Sequence, residues 1–248
     1  EIGLVAFHTS LNSLGVIIVL PFTHRLARLM QRLVVTKEPI YTEKLDKVLL
    51  RQPELALSVL MPTVQEEFIA LLGHLDSLLG DMRKGERVNL QQLQVALDET
   101  HSYVDQIQLQ PGNEAELERL VAIIHTLDHM QRLHERCEEE EDRAVTARET
   151  EKLTELRLKL IATIKEIVDG VKEQRWFEAA QSANDTAGYL QEQAEVYRDT
   201  IMKKIANGEI ELPKGTAYLE AIRWLRRVSK HLARITHHLA QTVIAAGK

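Results

Sequence analysis

The chain has 248 residues, of which 44% are apolar and only 4% aromatic, and it contains 11 Gly and 6 Pro. Few glycines and prolines combined with 27% charged residues indicate long helices and argue against a large β-sandwich or a Rossmann sheet. The single cysteine, Cys137, excludes a secreted scaffold stapled by internal disulfides. The net charge of −6 argues against a general nucleic-acid binder, because no basic surplus is available to neutralise phosphates.

Residues 1–36 differ from the rest of the chain in charge. Their one acid is Glu1, and they hold three arginines, Arg25, Arg28 and Arg32, so the acidic surplus lies entirely in the remainder. The run from Ile2 to Thr23 is uncharged and longer than the roughly 18 residues that mark a membrane-spanning candidate. The arginines after this run predict that residues beyond about 24 face the cytoplasm.

Two other interpretations of this segment compete with a membrane span. A signal peptide is disfavoured, because arginines follow the apolar run instead of preceding it. A buried helix of a soluble protein is the second alternative, although such a helix usually shows a polar face. His8 and Asn12 share one stripe of the helix and are expected to serve helix packing or, as a weaker alternative, a transport path. Because the chain begins with Glu, we expect it to be the C-terminal fragment of a longer polypeptide.

Residues 37–53 hold two prolines and mixed charge, which is typical of a linker. Six helices are predicted after it: about 54–79, 89–109, 113 to Cys137, from near 146 to beyond 170, 176–207 and 216–246. Pro62 predicts a kink or break in the first helix, Asn89 an N-cap for the second, and Asn113 with Glu116 a capping box for the third. Short connections favour up-down packing, and no alternating pattern predicts a strand.

The six helices look like two copies of one three-helix unit, at 54–145 and 146–248. The two units have similar lengths, and their third helices carry the related segments LDHMQRLHER (127–136) and LRRVSKHLAR (225–234). The predicted fold is therefore all-α. It comprises one transmembrane helix within residues 1–36, a linker, and two three-helix bundles.

Three segments resemble proteins of bacterial phosphate uptake and signalling. LRRVSKHLARI (225–235) is similar to the third-helix pattern L-E-R-I-G-D-H-x-x-N-I of the PhoU family of phosphate-signalling proteins. LDKVLLRQPELAL (45–57) resembles the segment that joins the membrane part to a PhoU-like domain in sodium/phosphate cotransporters. AFHTSLNSLGVIIVLPF (6–22) resembles the last hydrophobic segment of that transporter family. The resemblance covers nearly the whole chain and implies a PhoU-like cytoplasmic domain.

The resemblance also implies where metal would bind in that family, on acidic pairs of the third helices. Carboxylates four residues apart share a helix face and can share a hard cation. The first pair aligns here with Asp128 and Arg132, the second with Arg226 and Lys230, and the family's Asn with Arg234. Three of the four acidic positions are basic, so we expect no metal. We expect Arg226, Lys230 and Arg234 to pair with carboxylates of the fourth or fifth helix or, alternatively, to bind phosphate or an acidic partner.

Other residues indicate little further chemistry. His125 and His129 have the spacing of zinc ligands, but no second cluster with good spacing completes a site. His237 and His238 are expected to be solvated, and Cys137 adjoins four acids, which disfavours a thiolate. The sequence has no Gly-rich phosphate loop, G-x-S-x-G or H-E-x-x-H motif, so we expect neither an enzyme nor a cofactor.

The predicted function is that of the C-terminal part of a sodium-dependent inorganic phosphate transporter that works by secondary symport. Sodium would be the coupling ion, and sodium and phosphate would bind in membrane repeats that this chain does not contain. The PhoU-like domain would regulate transport or assembly through a cytoplasmic protein partner or a homo-oligomer, and nucleic acid is not an expected partner. The alternatives are a soluble PhoU-type regulator of phosphate signalling and a helical scaffold or interaction protein.

Overall fold

The computed structural model describes residues 41–80, 88–109, 112–139 and 141–246, which belong to one compact unit, Tyr41–Lys248. The predicted transmembrane segment, including His8 and Asn12, lies outside the described residues, as do residues 37–40 of the predicted linker. The described part of the chain is all-helical and contains no strand, which confirms the all-α class.

Seven α-helices follow a short 3-10 helix at Lys47–Arg51. They are α1 (Pro53–Leu79), α2 (Leu90–Val104), α3 (Glu114–Glu139), α4 (Glu141–Glu149), α5 (Thr154–Lys172), α6 (Trp176–Ala206) and α7 (Leu212–Ala246). A 3-10 turn at Glu151–Leu153 lies between α4 and α5. The single fourth helix predicted from near Thr146 is therefore two helices.

The division between α4 and α5 occurs at Thr150, whose backbone is extended, with φ −94° and ψ 104°. The hydroxyls of Thr146 and Thr150 donate to the carbonyls of Asp142 and Thr146, at 3.0 and 2.6 Å. Such side-chain bonds compete with the helical backbone pattern, and β-branched residues are already weak helix formers. The leucine periodicity predicted one continuous helix because it contains no information about these threonine hydrogen bonds.

Pro62 does not break α1, which runs continuously from Pro53 to Leu79. Proline inside a helix removes one backbone hydrogen bond and costs about 3 kcal/mol. Leu60, Val64 and Phe68 around this position are completely buried. Their packing offsets the lost backbone bond, so the helix continues.

Helix α1 is the helix, among the described residues, that is long and apolar enough to cross a membrane, with a mean hydropathy of 1.5 in its most apolar window. However, 56% of that window is buried inside the protein, and α1 packs against α2, α3, α4 and α5. Buried Glu67 of α1 accepts a hydrogen bond from Thr100 of α2 at 2.6 Å. The same composition suits a core helix, and the burial of α1 favours that role.

The segment before α1 is fixed against α1 and α2. Lys44 forms an ion pair with Glu66 at 2.7 Å, and the Tyr103 hydroxyl donates to the carbonyl of Asp46 at 3.1 Å. Asp46 also caps the 3-10 helix by accepting from the Val48 amide at 2.9 Å. These contacts attach residues 41–52 of the predicted linker to the helical core.

The predicted start of α2 agrees with the structure, but its predicted end does not. The Asn89 side chain accepts from the Gln92 amide at 3.3 Å, which confirms the predicted N-cap of α2. Helix α2 ends at Val104, earlier than the predicted end at about 109. The amides of Gln106 and Ile107 bond to carbonyls only three residues back, which tightens the chain into a turn.

Helices α3 and α7 pack against each other along much of their length. The Trp224 indole N–H donates to the carbonyl of Arg136 at 3.0 Å. Further along the pair, the rings of His129 and His231 have centroids 5.6 Å apart. A later residue of α7 therefore meets an earlier residue of α3, so the helices are antiparallel. Helix α7 packs equally closely on α6 along its other side, and these three helices carry the residues of the candidate site.

Candidate functional site

Asp128 forms its ion pair within α3. Asp128 and Arg132 are four residues apart and form an ion pair of 3.2 Å, with both side chains about half exposed. An exposed pair of this kind contributes only about 0–1 kcal/mol to stability. It nevertheless places a guanidinium where the PhoU pattern has a second carboxylate, so a cation at Asp128 would have to displace Arg132.

Arg226, on α7, faces α6. Arg226 forms an ion pair with Glu195 of α6 at 3.3 Å, and Arg198 approaches the same carboxylate at 3.1 Å. Lys230 and Arg234 continue the row of Arg226 along α7. Within the described part of the chain, neither has a carboxylate oxygen within 4 Å. The basic row is therefore ion-paired at Arg226 and unpaired at its next two members.

The structure brings four histidines together between α3 and α7. His125 and His129 come from α3, and His231 and His238 from α7, with ring centroids 5.0 Å apart for His125 and His238 and 5.8 Å for His129 and His238. Residues 231 and 238 are two turns apart and share a helix face. Sequence spacing paired His125 with His129 but did not predict that His231 and His238 of α7 lie beside them.

His237 and His238 differ in environment. His237 is exposed as expected, but His238 is half-buried and stacks against the ring of His129, so the prediction that both are solvated is wrong for His238. The antiparallel pairing of α3 and α7 is the reason, because it covers the face of α7 that carries His238. This pairing could not be read from the local pattern.

Burial disfavours the protonated form of three members of the cluster, His129, His231 and His238. Burial, together with the neighbouring His129, Arg132, Arg136 and Lys230, lowers the pKa of His231 to about 4. The pKa of His129 is lowered chiefly by burial, against the opposing effect of Asp128. The pKa of His238 is also lowered by burial. Neutral imidazoles are the form that this environment of cations favours.

Neutral imidazole is also the form that coordinates transition metals. Across the residues that the structure describes, however, no group of three or more His, Cys, Asp or Glu side chains is arranged to hold a metal ion. The ring planes are inclined at 30° for His125 and His238, at 52° for His129 and His231, and at 16° for His129 and His238. In this geometry, the zinc-like spacing of His125 and His129 serves contact between helices.

Cys137 lies near the C-terminal end of α3, and its side chain is buried. Burial alone raises the pKa of its thiol. The four neighbouring acids predict an unreactive thiol, and the structure adds loss of hydration as the cause.

A groove of about 640 Å³ lies between α6 and α7 on the side of Lys230 and Arg234. Gln181 and Asn184 of α6, together with His237 and Gln241 of α7, contribute its other polar groups. No sequence motif marks any of these four residues for binding. Their common feature is a helical spacing of three or four residues on faces that meet only when α6 and α7 are packed together.

Comparisons of the chain with protein-family models, curated proteins and solved structures each found no match. The similarity to PhoU proteins and to sodium/phosphate cotransporters therefore rests on the three quoted segments. The order of those segments and the pairing of α3 with α7 are the observations from which a function can be proposed.

Proposed function

We propose that this chain is the C-terminal part of a bacterial sodium-dependent inorganic phosphate transporter. Residues 1–36 would end its membrane domain, and the helices that follow would form a PhoU-like cytoplasmic domain that regulates transport or assembly. The order of the three similar segments supports this arrangement, because membrane segment, joining segment and third-helix motif follow one another as in that family.

The observation that carries the proposal is the contact between the two helices that hold the related segments. His129 lies within LDHMQRLHER of α3, and it faces His231 within LRRVSKHLAR of α7. When the two segments are aligned, residue 131 corresponds to residue 229. The antiparallel pairing also places these two positions opposite each other, so the segments meet near their middles. Two copies of one unit related by a two-fold axis would meet in this way.

The packing of the remaining helices supports the same division into two units. Helices α1, α2 and α3 contact one another, as do α5, α6 and α7, and α4 joins the two sets. We infer from this that the domain consists of two three-helix bundles whose third helices meet. Sodium would couple transport in the membrane part, and no catalytic step is assigned to the helical domain.

Membrane fractionation tests the first half of the proposal. The chain of residues 1–248 should stay in the membrane pellet after alkaline extraction, because an uncharged span of this length partitions into lipid. Residues 41–248, expressed as the matched control, should appear in the supernatant with unchanged helical circular dichroism. Recovery of the longer chain in the supernatant would support the soluble PhoU-type regulator instead.

Phosphate uptake tests the second half. The full-length protein that contains this chain should take up labelled phosphate into vesicles only with an inward sodium gradient. Deletion of residues 41–248 should leave this sodium dependence but change the maximal rate or the apparent affinity for phosphate. Uptake without sodium dependence contradicts the transporter, and unchanged kinetics after deletion would point to a helical scaffold.

A further inference from the structure

The three basic residues of the row on α7 lie in two different environments of the described structure, one with a carboxylate and one without. Arg226 faces a shallow groove that also contains Glu195 of α6, and the two side chains form an ion pair. One turn further, Lys230 and Arg234 line the larger groove of about 640 Å³, and no carboxylate belongs to its described lining. A salt-bridged surface therefore accounts for Arg226 and leaves Lys230 and Arg234 unexplained.

The larger groove is rich in hydrogen-bond donors as well as positive charge. Lys230, Arg234 and His237 follow one another at intervals of four and three residues, so they share a face over two turns of α7. The amide side chains of Gln181 and Asn184 face them from α6. Lys230 and Arg234 are exposed, so a ligand in solvent can reach them directly.

The groove is wide because many of the side chains that line it are small. Alanines occupy several wall positions on both helices, and exposed Phe177 and Ile244 add apolar surface. The volume lies in the range of about 300–1,000 Å³ that is usual for small-molecule sites. Apolar walls beside a row of cations suit a ligand that carries a compact anion and, attached to it, an organic group.

We propose that this groove binds the phosphoryl group of a small molecule, with Lys230 and Arg234 as its charged contacts. The planar guanidinium of Arg234 can give two parallel hydrogen bonds to phosphate oxygens, and the Lys230 ammonium adds a point charge. Asn184 contributes a neutral donor from the opposite helix, and so does the amide hydrogen of Gln181 that is not bonded to the Asp185 carboxylate. The inference does not depend on the transporter assignment, since it follows from the charge and shape of the groove.

Calorimetric titration of the 1–248 chain at constant ionic strength tests the site. The probes are orthophosphate, which represents the free ion, and ATP, which represents a phosphorylated organic molecule. At least one should bind saturably, and the one that binds more tightly identifies the source of the phosphoryl group. Lys230→Gln and Arg234→Gln should each weaken that binding about tenfold, the loss expected for one charge-assisted hydrogen bond.

Arg226→Gln is the matched control, because it removes the same charge from the same helix one turn away. It should change the affinity by less than about twofold, since the ion pair with Glu195 already neutralises Arg226. Equal weakening by Arg226→Gln would show a long-range charge effect and overturn the site. Unaltered binding by the Lys230→Gln/Arg234→Gln double variant would also overturn it, as would saturable binding of a glutamate-rich peptide alone.

Discussion

His231 lies between α3 and α7 among groups that all disfavour its protonated form. Burial removes water from the imidazolium, and His129, Arg132, Arg136 and Lys230 add positive potential, which together bring its pKa to about 4. Its Nδ1 atom is buried and has no hydrogen-bond partner in the described part of the structure. The neutral ring is therefore a condition for the packing of the two helices.

This environment predicts that acid destabilises the protein through His231. The folded-state pKa lies below the unfolded value of 6.5, so the unfolded chain binds the extra proton. The contribution of His231 to stability is complete above pH 6.5 and is lost as the pH falls towards 4. His231→Gln should reduce the loss of unfolding free energy between pH 6.5 and pH 4 by about 1–2 kcal/mol, after allowance for partial exposure.

Urea unfolding at a series of pH values measures this decline. His101→Gln on α2 is the control, because it removes a half-buried histidine outside the cluster and should leave the slope close to that of the unmodified protein. A slope that is the same in the His231→Gln variant and the unmodified protein would contradict the assigned role of His231.

At the scale of helices, α5 and α6 form an antiparallel pair that approaches closely at Gly170. A Cβ atom at Gly170 would lie 2.8 Å from the Cβ of Ala179 and 3.3 Å from the carbonyl oxygen of Arg175. Farther along the pair, the buried hydroxyls of Thr163 and Thr186 are 2.7 Å apart and share a hydrogen bond. Small residues thus set the distance between the two helices. Glycine is required at position 170 because a side chain there would collide with α6.

Gly170→Ala should destabilise the protein despite the better helix propensity of alanine. Overpacking at such a contact costs about 1–3 kcal/mol, which exceeds the gain of about 1 kcal/mol from replacing glycine in a helix. Gly188→Ala on α6 is the matched substitution, since an added Cβ there meets no atom within 4 Å. It should stabilise the protein by about 0.5–1 kcal/mol. Thermal unfolding of both variants checks the sign, and stabilisation by Gly170→Ala would refute the close approach.

At the scale of the whole described unit, one hydrophobic core extends through all seven helices. Buried residues of α1, such as Phe68, belong to the same contiguous cluster as Leu160 of α5 and Leu232 of α7. The two proposed bundles therefore share a core across α3 and α7. Elements with a common core are expected to unfold together.

We therefore expect one cooperative unfolding transition, with the same midpoint by tryptophan fluorescence and by far-UV circular dichroism. Leu232→Ala should lower the stability of the entire unit by about 2–5 kcal/mol, because Leu232 is 1% exposed. Leu158→Ala on α5 removes a leucine that is 52% exposed and should cost less than about 0.5 kcal/mol. Two separated transitions would mean that the bundles fold independently.

The sequence by itself determined the helical class, the approximate extent of most helices and the N-cap at Asn89, because periodicity and capping act within a few residues. It also identified the basic row Arg226, Lys230 and Arg234, since spacing along one helix defines a face. The sequence left open whether Pro62 kinks or breaks the first helix, and it did not predict the division between α4 and α5. Packing decides the first, and competing threonine hydrogen bonds decide the second.

Only the tertiary structure decided which of these faces meet. The contact of His129 with His231, the pairing of Arg226 with Glu195 and the groove beside Lys230 and Arg234 join residues far apart in the chain. Each depends on which helix lies beside which, and in what direction, which local patterns do not encode. The physical reason is that burial and electrostatic potential arise from all surrounding helices together, so they exist only once the core has formed.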